Sequence, residues 1–204
     1  MNDIAHIANN YLLYFLVPGW IIPGLADYFC HRRSRIEATS GLQEAVLHCL
    51  MMTVVGIPIF LCLLLEINAL VIVLAIAAYF VHQAMVLWDV SYAVTKRIVT
   101  PIEQHVHSFL EVLPFTAMSF IVCLYWGQAQ ALFGLGTESA DFGLRLKSKP
   151  LSASYLVTVI SVVFLFLAVP YGEEVWRCFR AARRAGGQGG RVAQSTDAPP
   201  PNAD

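Results

Sequence analysis

Four apolar stretches of this chain each carry an acid and a histidine. They are Asp27 with His31, Glu44 with His48, His82 with Asp89, and Glu103 with His107, and Glu111 lies one turn beyond the last pair. Carboxylates and imidazoles are the donors of centres that hold divalent cations. The acids bring negative charge and can bridge two ions; neutral imidazoles add ligands while leaving positions open for water, oxygen or substrate. A charged side chain inside a membrane span costs about 2.5–3.5 kcal/mol on insertion scales, so a concentration of them there marks a functional site.

Spacing turns each pair into a face. Residues four apart on a helix differ by about 40° around the axis and ~6 Å along it. Asp27 and His31 therefore point one way, as do Glu44 and His48, and Glu103 and His107; Glu111 extends the last face. His82 and Asp89 are seven apart, nearly two full turns, and also align. At about 1.5 Å per residue, Asp27, His31, Glu44, His48, Asp89, Glu103 and His107 fall within two turns of the helix ends on one side, and His82 lies roughly 10 Å deeper than Asp89. Antiparallel packing of these four helices predicts one shared level of acids and histidines in the bundle core.

The elements that must position these residues are legible from hydropathy. A bilayer core needs about 20 apolar residues in a helix. Five segments qualify: about Ile7 to Phe29, Gly41 to Leu65, Ala69 to Tyr92, Ile102 to Trp126 and Tyr155 to Val175. The expected fold class is all-α, a helical membrane bundle forming one domain over residues 1–184, with 185–204 as a disordered cytoplasmic tail. The first four helices are expected to form the bundle and the fifth to pack outside it. Glu66, Ile67 and Asn68 leave room only for a tight hairpin between the second and third spans. Pro18, Pro23, Pro58, Pro114 and Pro170 each remove a backbone donor and predict kinks; the dense PGWIIPG run predicts a kink or a break in the first helix.

Composition agrees. Hydrophobic residues make up 57% and charged residues 13% of the 204, and the net charge of −1 excludes the basic footprint of a nucleic-acid binder. No basic region precedes the first apolar run, so no cleaved leader is expected. Ten of the thirteen Lys and Arg fall on one side of a five-span topology, among them Arg32, Arg33, Arg35, Lys96 and Arg97. The positive-inside rule puts that side, with the C-terminus, in the cytoplasm and the N-terminus outside. The five cysteines, an odd number without a CxxC pair, are expected as small apolar residues.

Structural uses compete with catalysis at several positions. Thr100, Pro101 and Glu103 fit a capping box; Ser40 with Gln43 or Glu44 reads the same way. His31 suits a helix C-terminus, and Asp89 is within reach of Lys96 or Arg97. Glu37, in the loop HRRSRIEATS, is expected in solvent rather than as a ligand. His6 and Glu66 lie on the far side, and His105 points about 160° away from His107.

The segments DYFCHRRSRIEATSGLQEAVLH and VTPIEQHVHSFLE resemble those of small, uncharacterised proteins of the bacterial inner membrane, some labelled diguanylate cyclases. That resemblance implies a multi-pass inner-membrane protein and brings no activity with it. The chain has no GG(D/E)EF signature and no room for a soluble cyclase domain, so the cyclase label is rejected. It also lacks the HxxxH and HxxHH boxes of membrane hydroxylases and desaturases, and its ExxxH pairs differ from the ExxH of ferritin-like bundles.

The reading that joins these features is a metal-dependent membrane enzyme, an oxidoreductase or hydrolase acting on a lipid or isoprenoid. Its metal ligands would be Asp27, His31, Glu44, His48, His82, Asp89, Glu103 and His107, with Glu111 as a catalytic acid or further ligand. It would hold two divalent ions, iron in preference to manganese or zinc. Alternatives are a proton or metal-ion carrier, a haem b protein using His48 and His82, and a non-catalytic subunit. Substrate, metal identity, reaction type and protein partners are not written in the sequence.

Overall fold

The computed structural model describes the backbone of residues 2–196 and the side chains of residues 3–185. The described chain is helical, with an isolated bridge between Leu65 and Leu146. Its helices are α1 (Asn2–Tyr11), α2 (Val17–Ser34), α3 (Leu42–Leu64), α4 (Ala69–Lys96), α5 (Pro101–Leu124), α6 (Trp126–Ala131), α7 (Ala153–Val163) and α8 (Val169–Thr196). Together they supply five helices long and apolar enough to cross a membrane: Asp3–Ser34, Leu42–Leu64, Ala69–Lys96, Pro101–Leu124 and Ala153–Ala185. The tail expected from residue 185 onward falls almost wholly outside the described side chains, and residues 197–204 lie outside the described backbone.

The first span is not broken at PGWIIPG. Instead, π-helical turns join α1 to α2 at Leu12–Leu16 and α7 to α8 at Phe164–Ala168. Each precedes a proline, Pro18 and Pro170. A proline ring collides with the carbonyl four residues back, here Tyr14 or Phe166, and a locally widened turn relieves that collision. The first span then ends where Arg35 adopts a left-handed conformation (φ 50°).

Around the bundle, α2 packs on α5, α5 on α4, α4 on α3, α3 on α8, and α8 returns to α2. The ring is closed by the fifth span, contrary to the expectation that it would pack outside. Its reason is apolar: Leu167 and Tyr171 bury against Ile21, and Cys178 buries with Ile36 and Ala45. Many large apolar residues face outward, including Phe80, Leu87 and Ile102, while ten of the buried residues are polar or charged. This inverts the soluble pattern.

The two ends of the bundle differ. At one, α3 and α4 meet through the short hairpin, and the Asn68 side chain accepts from Val71 N (3.2 Å) to cap α4. The long connection between α6 and α7 folds over this hairpin: Glu66 N donates to Arg145 O (2.9 Å) and Lys147 N to Leu64 O (3.0 Å). The opposite end gathers the acids and histidines. Ser40 does not cap α3; Gly41 holds the cap position without a side-chain bond, and Ser40 O accepts from the Tyr92 hydroxyl (2.8 Å).

Candidate metal centre

Asp27, His31, Glu44, His48, Asp89 and Glu103 are all buried and come from four helices, α2, α3, α4 and α5. His107 is close to buried, its side chain 13% exposed. Two groups of ligand atoms lie within 4.8 Å of one another: Asp27, His31, Glu103 and His107, and again His31, Glu44 and His48. His31 belongs to both. Its Nε2 lies 3.4 Å from Asp27 Oδ1, 3.6 Å from Glu103 Oε1 and 3.9 Å from Glu44 Oε1. His107 Nε2 reaches Asp27 Oδ1 at 2.9 Å, and His48 Nε2 reaches Asp89 Oδ2 at 3.2 Å.

The fifth span supplies what the four pairs lack. Glu174, fully buried on α8, sets one oxygen 3.2 Å from His31 Nδ1 and the other 3.5 Å from His48 Nδ1. An ionised carboxylate only accepts, so both Nδ1 atoms carry protons. In neutral imidazoles the Nε2 lone pairs then face the acids. His31 Nε2 is buried with no hydrogen-bond partner, as are Asp89 Oδ1 and His82 Nδ1. Lone pairs facing carboxylate oxygens repel unless a cation lies among them. Donors ~2.0–2.2 Å from one ion lie roughly 3–3.5 Å apart, close to the spacings around His31 Nε2. A carboxylate behind the outer imidazole nitrogen is the support that metal-bound histidines have.

Arg97 sits between two of the acids. Its Nε donates to both oxygens of Glu44 (3.2 and 3.3 Å), and its Nη1 donates to Glu103 Oε2 (2.9 Å). Its Nη2 contacts both residues as well. Burial penalises this guanidinium, yet its bonds to Glu103 and Glu44 hold its pKa above the ordinary arginine value. The capping reading of Glu103 is half realised, because its N–H donates to Thr100 Oγ1 (3.3 Å) while its carboxylate turns to Arg97. Asp89 pairs with His48 rather than with Lys96 or Arg97. Among the described residues the cluster thus holds five buried acids, Asp27, Glu44, Asp89, Glu103 and Glu174, and one guanidinium, which pairs with Glu44 and Glu103. With neutral histidines that leaves four negative charges, the number two divalent ions would balance.

Beside the cluster is a cavity of about 50 Å3 lined by Asp27, His48, Asp89 and His107 together with His82 and Glu111. His82 is buried and lines the cavity but belongs to neither ligand group. Glu111 lines the same cavity, partly buried. The Tyr171 hydroxyl donates within this region, to Gly24 O (2.9 Å) or Asp27 Oδ2 (3.1 Å). Glu37 is not free in solvent: it pairs with Arg177. His105 is exposed beside Phe109. The five cysteines are unpaired.

Glu174, Tyr171 and Arg97 were not among the residues expected at the site. Arg97 reads in sequence as a topology determinant, and Glu174 lies at the end of the expected fifth span, Tyr155 to Val175, which carries no histidine beside it. The signal that finds Glu174 is its level: it follows Tyr171 by less than one turn, at the depth of the other acids.

No family model, curated protein or solved structure matches this chain.

Proposed function

We propose that the chain is a metal-dependent enzyme of the bacterial inner membrane that acts on a lipid-like substrate. The observation that carries this reading is His31 Nε2, buried and unpartnered among three carboxylates while Glu174 holds the proton on its other nitrogen. One ion would be held by Asp27, His31, Glu103 and His107, and a second by Glu44 and His48 with Asp89 beside them. Iron would supply oxygen-activating redox chemistry; manganese or zinc would supply a hydrolytic centre. The chain's own groups have defined tasks around it. Glu174 fixes two imidazole tautomers, Arg97 tethers Glu44 and Glu103, and Glu111 and His82 line the small cavity as acid and base.

The lipid bilayer is the proposed environment, with the metal end of the bundle in the cytoplasmic leaflet. The outward apolar residues and the Lys and Arg asymmetry support this. Metal analysis of the purified protein with alanine at His48 and at His107 tests the centre.

One observation favours a second reading, a purely structural ion network: Arg97 already pairs Glu44 with Glu103. It leaves four negative charges against at most three imidazoliums, those of His31, His48 and His107, and predicts a metal-free protein. A haem is disfavoured because His31 and His48 stack with centroids 4.2 Å apart and the cavity between His48 and His82 is only about 50 Å3. An ion carrier is disfavoured because the spans beyond His82 and Glu111 are almost purely apolar.

A further inference from the structure

Resting on the enzyme reading above, we propose that a groove between α2, α3 and the α7–α8 helix holds one hydrocarbon chain of the lipid substrate, so that the bond acted on lies near the lipid's polar end.

The groove is about 420 Å3 and is apolar along its length. On α3 it runs from Cys49, one residue beyond His48, to Phe60. Eleven residues of helix make that run about 16 Å long. The same direction holds on its other walls: Val17 and Trp20 lie on the far side of Asp27 from His31, and Val159 and Val163 lie far from Glu174. The groove therefore starts at the level of the acids and histidines and leads away from them, toward the other end of the bundle. A chain lying in it would hang below the metal centre with its polar end uppermost.

Three features point to that occupant. The groove and the site cavity share Trp20, Met52 and Tyr171, whose side chains border both spaces. Trp20 carries an indole N–H that is buried without an acceptor; a lipid ester or headgroup oxygen at this junction would supply one. Gly56 and Gly172 line the groove, and a Cβ at either position would meet nothing within 4 Å. Both glycines leave the floor open where any larger residue would narrow it, and neither has a positive φ that would explain its choice. The mouth is flanked by exposed Thr53 and Ile57, which in a bilayer would face acyl chains.

The test uses the full chain in nanodiscs of phosphatidylethanolamine and phosphatidylglycerol doped with phosphatidylglycerol bearing a mid-chain diazirine. Photolysis and peptide mapping should place adducts on residues 49–60 and 159–172 in excess over the outward face of α4 around Phe80 and Leu87. Gly56→Leu, and independently Gly172→Leu, should lower groove adducts by about tenfold, because the leucine occupies space that several methylenes need. Metal content should be unchanged in both variants. Uniform labelling of all lipid-facing helices, or labelling that both leucines leave intact, overturns the groove. A metal-free wild-type protein with intact groove labelling instead sinks the enzyme reading, and with it the substrate role of the bound chain. A metal-loaded protein without groove labelling sinks only the groove.

Discussion

His31 and His48 lie with their rings stacked, centroids 4.2 Å apart and planes 13° from parallel, although they come from different spans. Glu174 spans the pair on the Nδ1 side, and carboxylates meet them on the Nε2 side. As neutral rings with Nδ1–H donated to Glu174, both would turn an Nε2 lone pair toward a space already rich in carboxylates.

Glu174 should therefore control metal affinity without being a ligand. Glu174→Ala leaves two Nδ1 donors without an acceptor and frees both rings to rotate. Metal affinity should fall by about 10- to 100-fold, the usual effect of losing such a support. Glu174→Gln keeps one accepting oxygen and so serves one histidine of the two; its loss should be intermediate. Titration with Mn2+ in detergent solution measures both. Equal affinity in all three proteins would remove Glu174 from the centre.

Arg97 should matter most when no metal is bound. Its side chain is 3% exposed and pairs with Glu44 and Glu103. Arg97→Met strands two buried acids, and breaking such a pair from one side costs about 3–5 kcal/mol. The thermal midpoint of the metal-free protein should drop clearly, and added Mn2+ should recover more of it than in the wild type. Adding Glu103→Gln to Arg97→Met should restore part of the midpoint. A midpoint unchanged by Arg97→Met would show that the guanidinium is not needed to hold these acids.

The opposite end of the bundle offers a pH-dependent contact far from the metal ligands. Glu66, between α3 and α4, accepts from Ser148 N at 2.7 Å. That backbone bond lowers its carboxyl pKa below the ordinary glutamate value. A depressed folded pKa means the contact stabilises the folded loop fully above the ordinary glutamate range of about 4.3. The stabilisation is lost as pH falls through the lower folded value. Hydrogen-exchange protection of the Ser148 amide, corrected for intrinsic exchange, should hold at neutral pH and fall only in acid. Glu66→Gln should flatten that dependence; a wild-type protection already lost near neutrality would contradict it.

Much of this was legible in the sequence because helical spacing is rigid. Asp27 with His31, Glu44 with His48 and Glu103 with His107 were placed on common faces by their four-residue intervals, and the structure brings those faces together. Five helices of spanning length were readable from hydropathy alone. His82 was harder: seven residues align it with Asp89 in angle, yet at its depth it lines the cavity without joining either ligand group. The role of the fifth span was readable but missed: Glu173 and Glu174 fall inside its expected bounds, Tyr155 to Val175, but no histidine accompanies them, so the span lacked the acid and histidine pairing of the other four. Arg97 was hidden, because a helix-end arginine serves topology whether or not it turns inward. The π-helical turns before Pro18 and Pro170 depend on how the backbone shares a collision, which residue types do not specify.

On the enzyme reading, buried acids and histidines of separate helices hold divalent metal. Its most direct test is elemental analysis of the purified full-length protein beside His48→Ala and His107→Ala. About two equivalents of metal per wild-type chain are predicted, with a sharp loss in each variant. A wild-type protein without metal, or metal content that both alanines leave unchanged, would contradict the claim.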